Sequence, residues 1–288
     1  MEEVSVLRIR VKFTKAGPLK FIGHLDVMRY FQKALRRAEI PVALSEGFSP
    51  HMIMSFAQPL GVGKTSSGEY FDLDLAEGTD FSRDSFLEKL NDEMVPGISV
   101  VNAVEIPSDK KNKGMALVAA ASYTISFRKG QITFPENFTK VSSNSSGVDD
   151  EPEKSEVSGA DGVQIQFLSR QIEKYLAQDH ILVTRKTKKS EEESDIRPWI
   201  YEMKACMLPA GWKTDHPQNV EAEAFGIELL VSAKSGYNLK PEILVKNFAD
   251  FSGIGLAEYT VLVHRNDLYA EVDDDANGKH FVPLDKLY

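Results

Sequence analysis

The 288-residue sequence has one cysteine, Cys206. A single thiol excludes an intramolecular disulfide framework and any multi-cysteine zinc or iron–sulfur site. Between Ala205 and Met207 it reads as a small apolar residue, since free cysteine is commonly buried. No apolar run approaches the roughly 18–20 residues of a membrane helix. The start, MEEVSVLRIRVKF, is acidic and then alternating, unlike a signal peptide. A soluble, cytoplasmic protein without membrane association is expected. Positive charge is also in deficit, with a formal net charge of −9, whereas a compact nucleic-acid binder is usually basic.

The distribution of charge is more informative than its sum. Residues 8–64 carry ten cations against three acids, a local excess that suits a polyanionic partner. Acidity gathers elsewhere. Residues 142–162 hold six acids and one lysine with almost no large apolar group. Such a stretch cannot offset the entropy of ordering, and an acidic, disordered insertion is expected over about 136–162. SEEESD (190–195) forms a second acidic loop.

Periodicity points to an α+β fold. Leu7, Ile9, Val11 and Phe13 alternate with Arg8, Arg10 and Lys12, as in a half-buried strand. Val27, Met28, Phe31, Ala34, Leu35 and Ala38 recur at helical spacing over 24–38, and Pro41 ends that helix. Strands are expected near 41–45, 52–57, 69–75 and 98–106, with a helix over 82–93. The second half repeats the order. It has strands around 123–127, 180–185, 224–232 and 259–263, and helices around 165–176 and from Pro241. Two β-α-β-β-α-β units predict tandem ferredoxin-like domains, residues 1–117 and 118–288.

Several motifs carry possible chemistry. Arg29, Lys33, Arg36 and Arg37 lie opposite the apolar side of the first helix. They are either a solvated face suited to a helix C-terminus or a stripe that tracks a phosphate backbone. FIGHLD supplies His24 and Asp26, and the turn SEGFSPH supplies Ser49 and His51. His24, Asp26 and His51 are candidates for proton transfer, although they also suit structural roles at the helix start and turn. GVGKT (61–65) is not a P-loop: Gln58 stands where the first glycine belongs, and a strand follows where a helix is needed. No ATP site is expected there. DIRPWI contributes Arg197 and Trp199, and HRNDLYA contributes Arg265 and Tyr269, cation–aromatic combinations that serve packing or base stacking. No metal site and no cofactor is expected.

The run RVKFTKAGPLKFIGHLDVMRYFQKALRRAEIPVALSEGFSPH, then SFAQPLGVG and SGEYFDLDL, resembles the radical SAM-linked protein family. DIRPWI, SGYNLKPEIL and HRNDLYA extend the resemblance over nearly the whole chain outside the acidic insertion. The resemblance implies association with a radical SAM protein, either as its C-terminal part or as a separate chain, and this sequence resembles the separate form. One cysteine cannot supply the three-cysteine cluster motif of the radical enzyme itself. No accepted catalytic residues come with the family. Its distinctive positions here are His24, Asp26, Ser49, Pro50, His51, Arg197, Pro198 and Tyr269. The pattern is also distantly similar to tandem ferredoxin-like RNA-processing proteins of CRISPR systems, an analogy of architecture only.

The leading expectation is an RNA-binding accessory that holds a tRNA or rRNA for a radical SAM partner. Its contacts would come from Arg29, Lys33, Arg36, Arg37, Ser49, Arg197, Arg265 and Tyr269. The alternatives are a metal-independent endoribonuclease using His24, Asp26 or His51, and a protein-binding scaffold for the radical enzyme. His24, Asp26, Ser49 and His51 are expected to converge at one end of the first sheet, beside the basic helix.

Overall fold

The computed structural model describes residues 7–136, 138, 160–186, 191–209, 212, 221–274 and 278–288. In the first half, β1 (Arg8–Lys15), α1 (His24–Arg37), β2 (Met54–Ala57), β3 (Thr65–Asp74), α2 (Arg83–Asp92) and β4 (Ile98–Ile106) follow in turn. A short helix, α3 (Gly114–Leu117), leads into β5 (Val118–Arg128). The second half continues with β6 (Ile132–Thr133), α4 (Ala160–Leu176), β7 (Leu182–Lys186), β8 (Glu191–Asp195), β9 (Ile200–Met207) and β10 (Ala222–Ser232). It closes with α5 (Pro241–Ser252), β11 (Gly255–Leu256), β12 (Val261–Asp274) and β13 (Gly278–Pro283).

The result is a mixed α+β fold around one large, mostly antiparallel sheet. Nine strands join in the order β4-β1-β3-β12-β5-β10-β9, with β2 on β3 and β13 on β12. The halves meet where β12 runs parallel to β3, through His264↔Thr65 and Arg265↔Ser66. Gly68 permits that approach, because a Cβ there would stand 2.6 Å from Asp267 Oδ1 and 2.7 Å from the Asn266 carbonyl.

Two hydrophobic clusters lie against the sheet. In the first, α1 buries Val27, Phe31, Ala34 and Leu35, the positions its helical spacing selects. Phe31 meets Phe13 at 4.7 Å and Phe71 at 4.8 Å between ring centroids, and Phe56 meets Phe71 at 5.3 Å. Burying each such ring stabilises the fold by about 1.5–3 kcal/mol. The second cluster packs α4 and α5, through Leu168, Ile172, Leu244 and Phe248, onto Ile125, Ile227 and Leu229.

Three expectations need correction. The basic side of β1 is not solvent-facing, since Arg8 and Arg10 are buried and the Lys12 side chain is only 15% exposed. The C-terminal turn Leu284–Lys286 and the segment before α3 cover that side. Arg10 donates to the Leu284 and Asn112 carbonyls, and Asp285 accepts from Asn102. HILVTR does form a strand, β7, but among the described residues it pairs with β8 alone, in a separate hairpin. The strand beside β10 is β9. The acidic insertion lies mostly outside the described residues, but its ends are built into the fold. Phe138 stacks on Phe134 at 4.6 Å, and residues 160–162 open α4.

Candidate functional site

Chemistry gathers at two places. The first is the outer edge of the sheet beside α1. Val42 bridges Leu75 and Met54 pairs with Leu73, so both lie along β3. Between them the chain leaves the edge as a small loop closed by the Leu44↔Met52 bridge. Turn-forming residues Gly47, Ser49 and Pro50 suit this loop, and Gly47 has a φ of 105°. Phe48 at its tip is fully exposed, and its ring packs on none of the described residues. Ser45 Oγ accepts from the His51 backbone N–H and lies 2.7 Å from His51 Nδ1. Ser49 is exposed.

His24 begins α1 and sets its ring edge-on to Phe56 at 5.1 Å. Asp26, in the first turn, pairs with Arg29 at 3.6 Å. Among the described residues, His24 and His51 share no hydrogen bond or ring contact, and each has its own partner. The structure therefore joins His24 to β2 and His51 to the loop's own start, and does not link them as a proton-transfer pair.

On the outer face of α1, Arg29, Lys33, Arg36 and Arg37 are all exposed. Arg37 is bound to Glu93, with Nε 2.6 Å from the carboxylate and Nη2 donating to the carbonyl at 3.0 Å. Among the described residues, Lys33 and Arg36 form no ion pair. Phe21 and Leu25, at the start of the same segment, are more than half exposed.

Arg197, Trp199 and Tyr269 make contacts within the fold. Arg197 Nε donates to the Leu176 carbonyl at 2.9 Å, closing the end of α4 as a basic side chain can. Trp199 is partly buried on the second cluster, edge-on to Tyr237. The Tyr269 hydroxyl lies 3.1 Å from Ser122 Oγ. Cys206 is half-buried, and burial, with Glu228 nearby, pushes its thiol up to about 11. Among the described residues, no group of three or more His, Cys, Asp or Glu is placed to hold a metal ion.

The second place is a cavity of about 520 Å³ at the junction of the halves. The loop before β3 supplies Gly61, Val62 and Lys64, the start of α5 supplies Lys240, Pro241 and Glu242, and β5 and β12 supply Tyr123 and Arg265. Gln58 is left-handed, with a φ of 39°, a conformation that is strained for a non-glycine residue. Its carbonyl accepts from Arg265 Nη1 at 2.9 Å.

Arg265 is 1% exposed, and among the described residues its Nε and Nη2 make no well-formed hydrogen bond. Glu69 Oε2 stands 3.4 Å from Nη2 as an ion pair. Glu69 is shared, since it also accepts from Ser66 at 2.9 Å and faces Lys15 at 3.9 Å. Burial pushes the Lys15 ammonium down, Glu69 opposes that, and Arg265 and Lys64 add to it. Burial raises the Tyr123 hydroxyl, while Arg265 opposes the rise. Lys64 reaches Glu242 Oε1 at 2.5 Å. Glu242 Oε2 and Gln58 Oε1 are buried without a hydrogen-bond partner among the described residues. A buried polar atom left unsatisfied costs about 1–3 kcal/mol, so this concentration of such atoms needs a reason. Sequence reasoning leaves Arg265 open between packing and RNA contact and gives no sign of the cavity. The turn chemistry of GVGKT is the only signal at its wall.

No curated protein matches the sequence. Among solved structures, the chain is matched to the crystal structure of an unknown protein from Galdieria sulphuraria at 10% identity. The match covers 90% of this chain and 98% of that one, with a TM-score of 0.21, too low to carry an argument about fold. The profile of the family described as "Uncharacterized protein conserved in bacteria (DUF2344)" matches residues 8–241, which span α1, the edge loop and the Gly61–Lys64 wall of the cavity, and the chain belongs to that family.

Proposed function

We propose that this chain is a cytoplasmic RNA-binding accessory protein that presents a tRNA or rRNA to a radical SAM enzyme. The observation that carries the reading is the outer face of α1. Lys33 and Arg36 stand exposed there without an ion pair among the described residues, and the loop that follows α1 exposes the ring of Phe48. Cations that release counterions and an aromatic face that accepts a stacked base are what a single-stranded or looped RNA needs. The other cations of the basic half support this less. Arg8, Arg10, Lys12 and Lys15 are neutralised inside the fold. The radical SAM partner rests on the sequence resemblance alone.

The same reading treats the halves as two ferredoxin-like domains, residues 1–117 and 118–288. The strand orders β4-β1-β3-β2 and β12-β5-β10-β9 support it, as do the two hydrophobic clusters. Fluorescence anisotropy with a labelled tRNA and an rRNA hairpin across a salt series tests the function. The wild type is expected to bind, with log affinity falling linearly with log salt. Lys33→Glu with Arg36→Glu should flatten that slope by about 0.7–0.9 for each phosphate no longer neutralised. Absence of RNA affinity at low salt would overturn the proposal. Co-purification that survives nuclease would then favour a scaffold.

A further inference from the structure

A third set of polar side chains gathers where β12 runs beside β3. His264 and Arg265 are successive along β12 and so point to opposite faces of the sheet. His264 stands opposite Thr65, and Ser67, two residues on along β3, reaches the same ring. His264 Nδ1 lies 2.8 Å from Thr65 Oγ1, and its Nε2 lies 2.9 Å from Ser67 Oγ. The Trp212 ring meets the imidazole edge-on, 5.6 Å between centroids. His264 is half-buried, whereas Ser67 is exposed. A hydroxyl in solvent has water to bond to, so packing alone does not require an imidazole beside it. The backbone is irregular here too. The register shifts between Lys15↔Ser66 and Phe13↔Glu69, so Ser67 and Gly68 stand against Thr14 alone. It shifts again between Arg265↔Tyr123 and Asp267↔Ser122, around Asn266. Bulges of this kind re-aim side chains and are over-represented beside active sites.

We propose that Ser67 is a nucleophile for acyl transfer from a carboxylic ester, with His264 as its general base and Thr65 as the residue that positions the base. A serine hydroxyl is a weak nucleophile until an adjacent base takes its proton, and the base is in turn oriented by a third group. With the ring proton on Nδ1 and donated to Thr65 Oγ1, Nε2 accepts from the Ser67 hydroxyl. Ser67 Oγ then attacks the acyl carbon as its proton passes to Nε2. Collapse breaks the bond to the alkoxide, which leaves with that proton. Water next attacks the acyl–Ser67 ester, gives a proton to Nε2 and releases the acid, and the proton returns to Ser67 Oγ. Thr65 bears no charge to offset an imidazolium, unlike the carboxylate of a Ser-His-Asp arrangement. Turnover is therefore expected to be slow, and acylation of Ser67 is the step to read. The site does not depend on the RNA reading, since neither α1 nor the edge loop contributes to it.

The full chain incubated with an alkyl fluorophosphonate and, separately, with p-nitrophenyl acetate provides the test. Ser67 Oγ displaces fluoride from the first and p-nitrophenolate from the second. Peptide mass spectrometry should place a single adduct on Ser67, absent in Ser67→Ala, a change at an exposed position. His264→Gln should slow labelling about a hundredfold or more, the scale of a lost general base. Thr65→Val should slow it as well, and Thr65→Ser should restore it. If His264→Gln does not fold, the two Thr65 variants decide the role of the base. An unlabelled wild type, adducts spread over several serines, or a rate indifferent to His264→Gln or to Thr65→Val would overturn the proposal. Neither probe carries a nucleotide, so failure of labelling and failure of RNA binding are separate outcomes.

Discussion

The charges between β1 and β3 and the charges between β3 and β12 solve the same problem differently. Along β1 and β3, antiparallel register sets Arg8 opposite Asp74 and Arg10 opposite Asp72, and each guanidinium is closed by its own carboxylate. Asp72 also accepts from the Gly114 backbone N–H. At the junction, the one carboxylate of Glu69 serves Ser66, Lys15 and Arg265 at once. Buried charges usually persist only when paired and hydrogen-bonded. The first set is complete and reads as structure. The second divides one carboxylate among three partners and leaves part of the Arg265 guanidinium without a well-formed hydrogen bond among the described residues.

The largest break in this comparison should come from the complete set. Asp72→Ala leaves the Arg10 guanidinium buried and uncompensated, and urea denaturation should show a loss of about 3–5 kcal/mol. A loss below about 1 kcal/mol, the range of exposed pairs, would mean that the ladder is incidental. Glu69→Gln keeps the size of its side chain and an acceptor for Ser66, so a smaller loss of about 1–2 kcal/mol is expected.

That second variant also carries a pH signature. The Lys15 ammonium is already held below its ordinary value, chiefly by burial, and Glu69 is the group that raises it. Removing the carboxylate should lower it further. Between the folded and unfolded values the unfolded chain binds more protons, so stability rises with pH in that window. Glu69→Gln should therefore gain relative to wild type as pH rises toward the ordinary lysine value. Denaturation series at neutral and alkaline pH would show it, and parallel curves would dissociate Lys15 from Glu69.

The smallest effect belongs to an exposed pair. His180 Nδ1 lies 2.8 Å from Asp195 Oδ2. The hydrogen bond to Asp195 raises His180, and the bond to His180 holds Asp195 at about 2. The Asp195 contribution is present above the ordinary carboxylate value and fades as pH falls toward 2. The His180 contribution is present below its ordinary value and fades as pH rises through the elevated one. In Asp195→Asn, an NMR titration should return His180 toward its ordinary value, with global stability nearly unchanged. An unshifted His180 in the wild type would contradict the pairing.

Local rules are legible where one face of an element packs on its neighbours. The apolar spacing in α1 and the alternation in YFDLDL lead directly to α1 and β3. The strand β9 escapes such rules because only Ile200 and Met203 of IYEMKACM are buried, which leaves no alternation to read. Burial of Arg10 and Lys12 is not legible either. It is set by residues such as Leu284 and Asp285, far along the chain. The same holds for Arg265, whose neighbours Gln58 and Glu69 lie in the other half. The exposed face of α1, by contrast, follows from its own sequence.

The most direct test of the shared set is an NMR titration of the Lys15 ammonium in the wild type. The account predicts a value below that of an ordinary lysine, because burial outweighs the one carboxylate that Lys15 shares with Ser66 and Arg265. A value at or above the ordinary one would contradict it.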